Sequence, residues 1–147
     1  MAVMDSYDTC TVAEDCSALL ALRREWFPVA DDGFEERFRN WWARERHHRY
    51  AVVAYSGDDP VGMANGQIFS RMPVPGRPSA QWLYGANVYV SDHYRREGIG
   101  RLLMSALIDF ARERGMVRVV LAPSEMSIPL YESLGFRPAR DLMRRDL

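Results

Sequence analysis

The sequence predicts an α/β fold with one domain, in which helices flank a sheet that contains a parallel pair of strands. Three observations lead to this prediction: amphipathic stretches with helical spacing, short β-branched and aromatic runs between turn residues, and one strand–helix–strand unit over residues 81–122. We expect residues 1–147 to form a single unit, because 147 residues is the usual length of one domain. The composition, 48% hydrophobic and 27% charged, is that of a soluble globular protein.

Two helices are predicted in the first 50 residues. Thr11 and Glu14 have the spacing of a capping box, which places the start of a first helix there, and Pro28 ends it. The apolar face of this helix consists of Cys16, Leu19, Leu20 and Phe27. Asp32 and Glu35 repeat the capping spacing before a second helix. Its apolar stripe, expected to pack in the core, consists of Phe34, Phe38, Trp41 and Trp42.

Strands are predicted next. Tyr50–Tyr55 is a short β-branched run, residues 57–60 have turn composition, and Val61–Phe69 continues as a second strand. Residues 71–79 contain three prolines and one glycine and predict a loop, which the sequence leaves open as a flexible surface, a lid or an interface. Gln81–Val90 is apolar almost throughout, which predicts a strand buried on both faces.

The last third of the chain alternates between helix and strand. A helix that stops at Gly115 has an apolar face formed by Ile99, Leu102, Leu103, Ala106, Leu107 and Phe110. Val117–Ala122 is a further buried strand, parallel to the strand before that helix because a crossover helix joins them. A short helix over residues 129–134 stops at Gly135, and a final strand is predicted from Phe136 onward.

Charge and composition exclude several classes of function. The net charge of -1 gives no electrostatic argument for nucleic acid or an anionic membrane as a partner. All 19 basic residues are arginines, for which genomic base composition is the simpler explanation and bidentate anion contacts the alternative. Cys10 and Cys16 are too few for a disulfide framework. The three histidines lack partners at zinc-ligand spacing, so no metal site is predicted.

Targeting and membrane-spanning segments are not predicted. The N-terminal stretch MAVMDSYDTC has neither the basic start nor the apolar run of a signal peptide. No stretch approaches the ~20 apolar residues that a transmembrane helix needs. We therefore expect a cytoplasmic protein.

A strand-to-helix loop, NVYVSDHYRREGIGRLLM over residues 87–104, has the composition of an anion-binding site. The start of a helix exposes N–H groups without intrahelical partners, and the helix dipole adds positive charge there. Gly98 and Gly100 remove side chains that would block a close approach to those groups. Further positive charge comes from Arg95, Arg96 and Arg101. The sequence therefore predicts a phosphate site, with a tight turn as the structural alternative for the glycine pair.

Two common phosphate motifs do not match this loop. The dinucleotide fingerprint requires a third glycine where this chain has Leu103, and the nucleoside-triphosphate loop requires a lysine, which the chain lacks. A dinucleotide-binding domain therefore stays an alternative against which Leu103 argues.

Two motifs resemble those of the GCN5-related N-acetyltransferase (GNAT) family. Residues 95–100, RREGIG, match the family pattern Arg/Gln-x-x-Gly-x-Gly/Ala, and residues 129–136, PLYESLGF, resemble its second signature, Leu-Tyr-x-x-x-Gly-Phe. The order of elements also fits, so the resemblance covers nearly the whole chain. It implies a GNAT-like mixed central sheet flanked by helices, with a splayed parallel strand pair and a strand–loop–helix coenzyme A site.

The resemblance further implies acetyl-coenzyme A as co-substrate. The family's pyrophosphate site, opened here by Arg95, maps onto the amides of Arg96, Glu97, Gly98, Ile99, Gly100 and Arg101. The pantetheine arm pairs with the preceding strand like an added strand, which maps onto Val88, Tyr89 and Val90. Parallel strands that splay apart leave N–H and C=O groups that such an arm can bind.

The family's catalytic tyrosine maps onto Tyr131, which the resemblance implies as the acid that protonates the departing thiolate, with a packed aromatic as the alternative. Ser124 stands where many members have an asparagine, and we expect it to bond the pantetheine or the thiol. Many members carry a glutamate base at the position of Tyr84, but residues 81–90 contain no acid. The base stays open between a water relay, an amine that arrives neutral and an acid from elsewhere, such as Glu125.

The implied reaction is direct attack of a primary amine on the thioester, with no acyl-enzyme because both cysteines lie far from the two motifs. The acceptor, a small molecule or a peptide, enters near the first two helices in the family. Acids and aromatics of this region could attract and pack an ammonium group: Asp31, Asp32, Glu35, Glu36, Trp26 and Phe27. Solvation and helix capping are the simpler roles for these acids. A homodimer is the family's habit. A non-catalytic acetyl-coenzyme A sensor is the alternative function, since the strand carboxylate is missing.

Overall fold

A five-stranded sheet forms the centre of the fold in the computed structural model, which describes residues 6–147. Its strands are β1 (Asp8–Thr11), β2 (Arg49–Ser56), β3 (Asp59–Ser70), β4 (Gln81–Val90) and β5 (Val119–Leu121). They lie side by side in sequence order; the first four pair antiparallel and β4–β5 is parallel. The predicted α/β class and parallel pair are confirmed. Residues 1–5, on which the prediction about a signal peptide partly rests, lie outside the described residues.

Four α-helices flank the sheet: α1 (Ser17–Trp26), α2 (Phe34–Glu45), α3 (Ile99–Glu113) and α4 (Ile128–Ser133). α3 is the predicted crossover between β4 and β5, and α4 follows β5. Single turns of 3-10 helix lie at Arg46–His48, Asp92–Tyr94 and Glu125–Ser127. Within residues 6–147, no helix combines the length and the apolar character that crossing a membrane requires.

The sheet separates two apolar clusters, because successive residues of a strand point to opposite faces. In β2, Ala51 and Val53 pack with α1 and α2, whereas Val52 packs with α3 and α4. β4 contributes to both clusters, with Leu83 buried on the α3 side and Tyr89 on the α1 side. Of its ten residues, however, 83, 85 and 89 are buried, Asn87 is exposed and the others are half-buried, so the predicted burial of this strand on both faces is correct only in part.

The start of the first helix was predicted wrongly. Thr11 lies at the end of β1, and α1 begins only at Ser17, whose N–H donates to Oδ1 of Asp15 (3.0 Å). β1 itself escaped prediction because its four residues, DTCT, are all exposed and show no alternation. The strand is recognisable only through its pairing with β2 at the edge of the sheet.

The second predicted capping box is also wrong, because no side chain caps the N-terminus of α2. Asp31, not Asp32, accepts a hydrogen bond from the N–H of Gly33 (3.2 Å), and α2 begins at Phe34. The same carboxylate binds the guanidinium of Arg37 (Nη2 to Oδ2, 2.5 Å), and its hydrogen bond with Arg37 is the main cause of a lowered Asp31 pKa. A two-residue turn before the helix therefore replaces the capping box.

The predicted apolar faces are correct in part. Phe27 is 51% exposed, since it lies beyond the end of α1, whereas Trp42 is 2% exposed and donates its indole N–H to the carbonyl of Ala13 (2.7 Å).

The predicted loop over residues 71–79 is confirmed. The predicted final strand is wrong, because residues 136–147 form neither helix nor strand. Phe136 nevertheless packs against the apolar cluster on the α3 side of the sheet, through the ring of Tyr131.

Candidate functional site

β4 and β5 diverge, and the part of β4 beyond the divergence holds residues predicted to bind a cofactor. The two strands pair over three positions and end at Gly85 opposite Leu121. β5 stops there, whereas β4 continues through residues 86–90. On that edge the main-chain groups of residues 86–90 have no strand partner among the described residues, although the Val90 carbonyl accepts a hydrogen bond from the Arg95 side chain. Such groups readily bind another extended chain. The splay implied by the resemblance is confirmed, and residues 88–90 lie in it.

A β-bulge interrupts β4 where the strands diverge. In the β3–β4 ladder the register shifts between Met63 and Asn65, so that one β3 residue faces both residues 87 and 88 of β4. Asn87 has a φ of 54°, a left-handed conformation that asparagine tolerates better than most residues. A bulge leaves main-chain groups of the bulged strand out of the ladder. Donors that the sheet does not use are therefore available at this point.

Two left-handed residues shape the loop that connects β4 to α3. Gly98, which caps the N-terminus of α3, has a φ of 84°, and Arg96 has a φ of 65°. A Cβ at Gly98 would meet nothing within 4 Å, so the backbone conformation rather than crowding favours glycine there. The loop brings the unpartnered N–H groups of the first turn of α3 to the end of β4.

Gly100 lies in the first turn of α3, beside α4. A Cβ built at this position would lie 3.4 Å from Cδ2 of Leu130, which is an ordinary contact. Packing within the protein therefore does not require glycine at position 100. The sequence predicted glycine here because a ligand needs the space, and that explanation stays a prediction.

The charged side chains of the loop have partners within the protein, with one exception. Nε of Arg95 donates to the carbonyl of Val90 (3.1 Å), and its guanidinium pairs with Asp92 (2.9 Å). The carboxylate of Glu97 accepts a hydrogen bond from the Tyr7 hydroxyl. The guanidinium of Arg101 donates to the Ser133 hydroxyl, which ties α3 to α4. Arg96 makes no ion pair or hydrogen bond with another described residue and is the loop cation that a ligand can use.

Tyr131 lies on α4, on the α3 side of the sheet. It is buried in the apolar cluster on that side, against which Val88 and Val90 of the unpaired part of β4 also pack. Burial raises the pKa of its phenol, and a hydrogen bond with Ser127 opposes that shift. The ring of Phe136 packs edge-on against it, with centroids 5.7 Å apart. Tyr131 is thus a packed aromatic that also carries a protonated phenol at neutral pH.

Ser124 shapes the turn that leads into α4. Its hydroxyl lies 3.0 Å from the hydroxyl of Ser127, and its carbonyl accepts hydrogen bonds from the Ser127 N–H and hydroxyl. Ser124 is exposed, as is Glu125 beside it. The turn places both residues after β5, across the splay from β4.

Glu25 lies beside the candidate site at the end of β4, and the sequence analysis did not predict it. Its carboxylate accepts hydrogen bonds from the hydroxyls of Tyr89 (2.8 Å) and Ser91 (2.6 Å), at the C-terminal end of β4. Burial first, and then the hydrogen bond and negative charge of Glu25, raise the pKa of Tyr89 to about 12. The ring of Trp26 stacks on that of Tyr89, with centroids 5.2 Å apart. No spacing in the sequence signals this cluster, because its members come from distant parts of the chain.

The model of the acetyltransferase (GNAT) family matches residues 16–136 of this chain. The chain is also 43% identical over 61 residues to the glucosamine 6-phosphate N-acetyltransferase of Trypanosoma brucei brucei, a match that covers 42% of each protein. The matched part therefore spans about two fifths of that curated relative's length.

Two solved structures have the same fold. The crystal structure of an acetyltransferase from Trypanosoma brucei superposes with a TM-score of 0.73 and 28% sequence identity, over 97% of this chain and 100% of that one. A protein from Clostridium acetobutylicum, described as a predicted acetyltransferase and solved with acetyl-CoA, gives a TM-score of 0.74 with 16% identity, over 96% of each chain. The second likeness is one of fold.

Proposed function

Because the chain belongs to the GNAT acetyltransferase family, we propose that it moves the acetyl group of acetyl-coenzyme A to a primary amine. The observation that carries this proposal is the course of β4. Its unpaired edge, residues 86–90, runs into a loop with two left-handed residues and then into the N-terminus of α3. A ligand with an extended, amide-bearing arm that ends in a diphosphate complements both parts.

The diphosphate would bind at the start of α3. The amides of residues 96–101 include N–H groups without intrahelical partners, and the positive end of the helix dipole lies there. The guanidinium of Arg96 adds a charge that no other described residue uses. The amides of the pantetheine arm would pair with residues 88–90 in place of the missing part of β5.

The reaction would be a direct transfer within a ternary complex. The nitrogen of a neutral amine bonds to the thioester carbon, the C–S bond breaks, and main-chain donors at the bulge polarise the carbonyl. The surplus proton on nitrogen passes to water. An acyl-enzyme is not needed: Cys10 lies on β1, at the opposite edge of the sheet from β5, and Cys16 is a buried thiol whose pKa burial raises.

Tyr131 would supply the proton that the departing thiolate takes. Its raised pKa keeps the phenol protonated at neutral pH, so a proton is present when the C–S bond breaks. The apolar cluster around it disfavours a free thiolate as well as a phenolate, which increases the benefit of the transfer. Solvent then restores the proton of the phenol. Ser124, across the splay, would bond the arm of the coenzyme.

The acceptor would be a small-molecule or peptide amine that approaches from the α1 side. Asp31 and Glu35, near the start of α2, already bind Arg37 and Arg39 and are less available to an ammonium group. Glu25 and Trp26 flank the unpaired end of β4 instead. The relative from Trypanosoma brucei brucei is named for an amino sugar phosphate, which is a small-molecule amine.

A second candidate function is that of a non-catalytic acetyl-coenzyme A sensor. Two observations favour this function. β4 contains no acid, and the Glu25 carboxylate already accepts hydrogen bonds from two hydroxyls of the chain. A sensor would bind the coenzyme in the same splay and would leave the thioester intact.

One experiment separates these possibilities. Calorimetry with acetyl-coenzyme A, and with NAD as control, measures binding; thiol release is then followed with an amino sugar phosphate, an aminoglycoside and a peptide with a free N-terminus. Binding and amine-dependent release support the transferase. Binding without release from any amine favours the sensor, and no uptake of acetyl-coenzyme A by the folded chain would sink both.

A further inference from the structure

We infer that Asn65 of β3 is a positioning residue for acetyl transfer, which holds the bulge of β4 so that its main-chain donors meet the thioester carbonyl. The inference rests on the proposed function, because it concerns the same splay. It adds a residue that neither motif contains and that lies on a strand without any predicted role in the site.

Asn65 is an unusual residue for its surroundings. It is 6% exposed and lies in a stretch of β3 that is otherwise apolar or glycine from Val61 to Gly66. Its Oδ1 is fully buried and has no hydrogen-bond partner among the described residues. A buried polar atom without a partner lowers the stability of the folded state, and an apolar side chain of similar size avoids that loss. Such a residue calls for an explanation other than stability.

The other end of the same amide is occupied at the bulge. Nδ2 of Asn65 donates to Oδ1 of Asn87, at 3.2 Å. Asn87 is the residue with a φ of 54°, and it lies where the β3–β4 register shifts. The hydrogen bond therefore joins a rigid, buried point of β3 to the residue whose conformation defines the bulge.

The bulge also lies where the thioester would be. With the diphosphate at the start of α3, beyond the C-terminal end of β4, an arm paired with residues 88–90 runs back along the strand. Its reactive end then reaches residue 87, next to the last β4–β5 pair at Gly85. Donors placed at a developing oxyanion accelerate acyl transfer only if they are held in position, since their alignment in advance is what stabilises the transition state.

The test replaces the amide by an apolar side chain of similar size, Asn65→Leu. We expect kcat for an amine that the wild type acetylates to fall about 10-fold or more, because a displaced oxyanion donor acts mainly on the transition state. The Kd for acetyl-coenzyme A should stay within about 2-fold, since the diphosphate and arm sites are intact. Tm should be unchanged or higher, because the unpartnered oxygen is removed. A purely structural role predicts instead that Tm and kcat fall together.

A second variant covers the case in which Asn65→Leu does not fold. Asn87→Gly keeps the left-handed conformation accessible but removes the acceptor of the hydrogen bond, and it should reduce kcat by a similar factor. The double variant should be no worse than either single one, because both remove the same interaction. Asn40→Leu, the same substitution at an exposed position of α2, is the matched control and should leave kcat unchanged.

The outcomes distinguish this inference from the function on which it rests. A wild type that acetylates an amine, with kcat of Asn65→Leu or Asn87→Gly within about 2-fold of it, overturns the role of Asn65 alone. Loss of acetyl-coenzyme A affinity in proportion to the loss of kcat overturns it too. A wild type that binds acetyl-coenzyme A but acetylates no amine overturns the proposed transferase, and this inference with it.

Discussion

The N-termini of α2 and α3 begin in opposite ways. At α2, Asp31 accepts a hydrogen bond from the Gly33 N–H, and Glu35 and Glu36 lie in the first turn, so carboxylates of the chain itself compensate the positive end of the helix. α3 follows the left-handed Gly98 and has no acid in its first turn, and no side chain of the described residues caps it. The chain's own carboxylates compensate one helix start, whereas the other has N–H groups and positive charge that the proposed diphosphate would use.

The largest effect is expected when the start of α3 is given a carboxylate like those at the start of α2. Gly100→Asp places a negative charge in the first turn of α3. We expect acetyl-coenzyme A to bind more than about 100-fold more weakly, because a carboxylate beside a diphosphate costs several kcal/mol. The free energy of unfolding should be unchanged or rise by up to about 1 kcal/mol, since the charge favours the helix. Calorimetry and urea unfolding measure the two effects.

The matched control for that substitution is Gly100→Asn, which has nearly the same size and no charge. If Asn weakens coenzyme binding as much as Asp does, space rather than charge decides at this position. Unimpaired binding in both variants would contradict a diphosphate at the start of α3.

The next prediction separates the main-chain site at α3 from the side-chain chemistry at α4. Tyr131→Phe should reduce kcat about 100-fold, because it removes the proton of the proposed acid, while the Kd for acetyl-coenzyme A stays nearly constant. Burial raises the pKa of this phenol, so the acid form persists above its usual value near 10 and should cause no loss of kcat between pH 7 and about 10. Equal losses of kcat and affinity would argue for a packing role alone.

A smaller effect is expected from the backbone of the α3 start. Gly98→Ala should lower the free energy of unfolding by about 1 kcal/mol, because alanine adopts a φ of 84° poorly although the space around it is open. Gly98→Asn should cost less, since asparagine tolerates this conformation. Chemical denaturation of the three proteins gives the ranking. An alanine variant as stable as the wild type would mean that the loop does not need its left-handed turn.

The smallest effect is expected at the start of α2. Asp31→Ala should lower Tm by a few degrees and leave the Kd for acetyl-coenzyme A unchanged. The hydrogen bond with Arg37 lowers the pKa of Asp31, so its contribution to stability is present at neutral pH and is lost as the pH falls below about 4. Thermal melts of both proteins at pH 7 and pH 3 should therefore differ less at pH 3. A changed coenzyme affinity would show that the two helix starts are not independent.

Local patterns made the centre of the fold predictable. β4 and the crossover helix were predicted almost to the residue, because an apolar strand, two glycines and a long amphipathic helix each have a strong local signal. β1 was missed, because an exposed edge strand of four residues is defined by its partner rather than by its own pattern. The final strand was predicted on Phe136, whose burial comes from Tyr131 and not from a sheet.

The candidate site divides in the same way. Gly98, Gly100 and Tyr131 could be found from motifs, because a local backbone conformation or a local chemical role requires each residue type. Asn65 and Glu25 could not, because their roles depend on partners on other strands and helices: a hydrogen bond to the bulge in one case and two hydroxyls at the end of β4 in the other. The spacing of residues along the sequence does not indicate such contacts.

The short seam between β4 and β5 has a consequence for motion. Three residue pairs join β5 to β4, whereas β3 and β4 pair over eight positions. β5 is therefore the more weakly paired of the strands beside β4. We expect its amides to exchange with solvent sooner than those of β3. A bound arm would act as an additional strand along β4, so coenzyme occupancy should slow that exchange and stabilise the β4–β5 splay before any amine arrives.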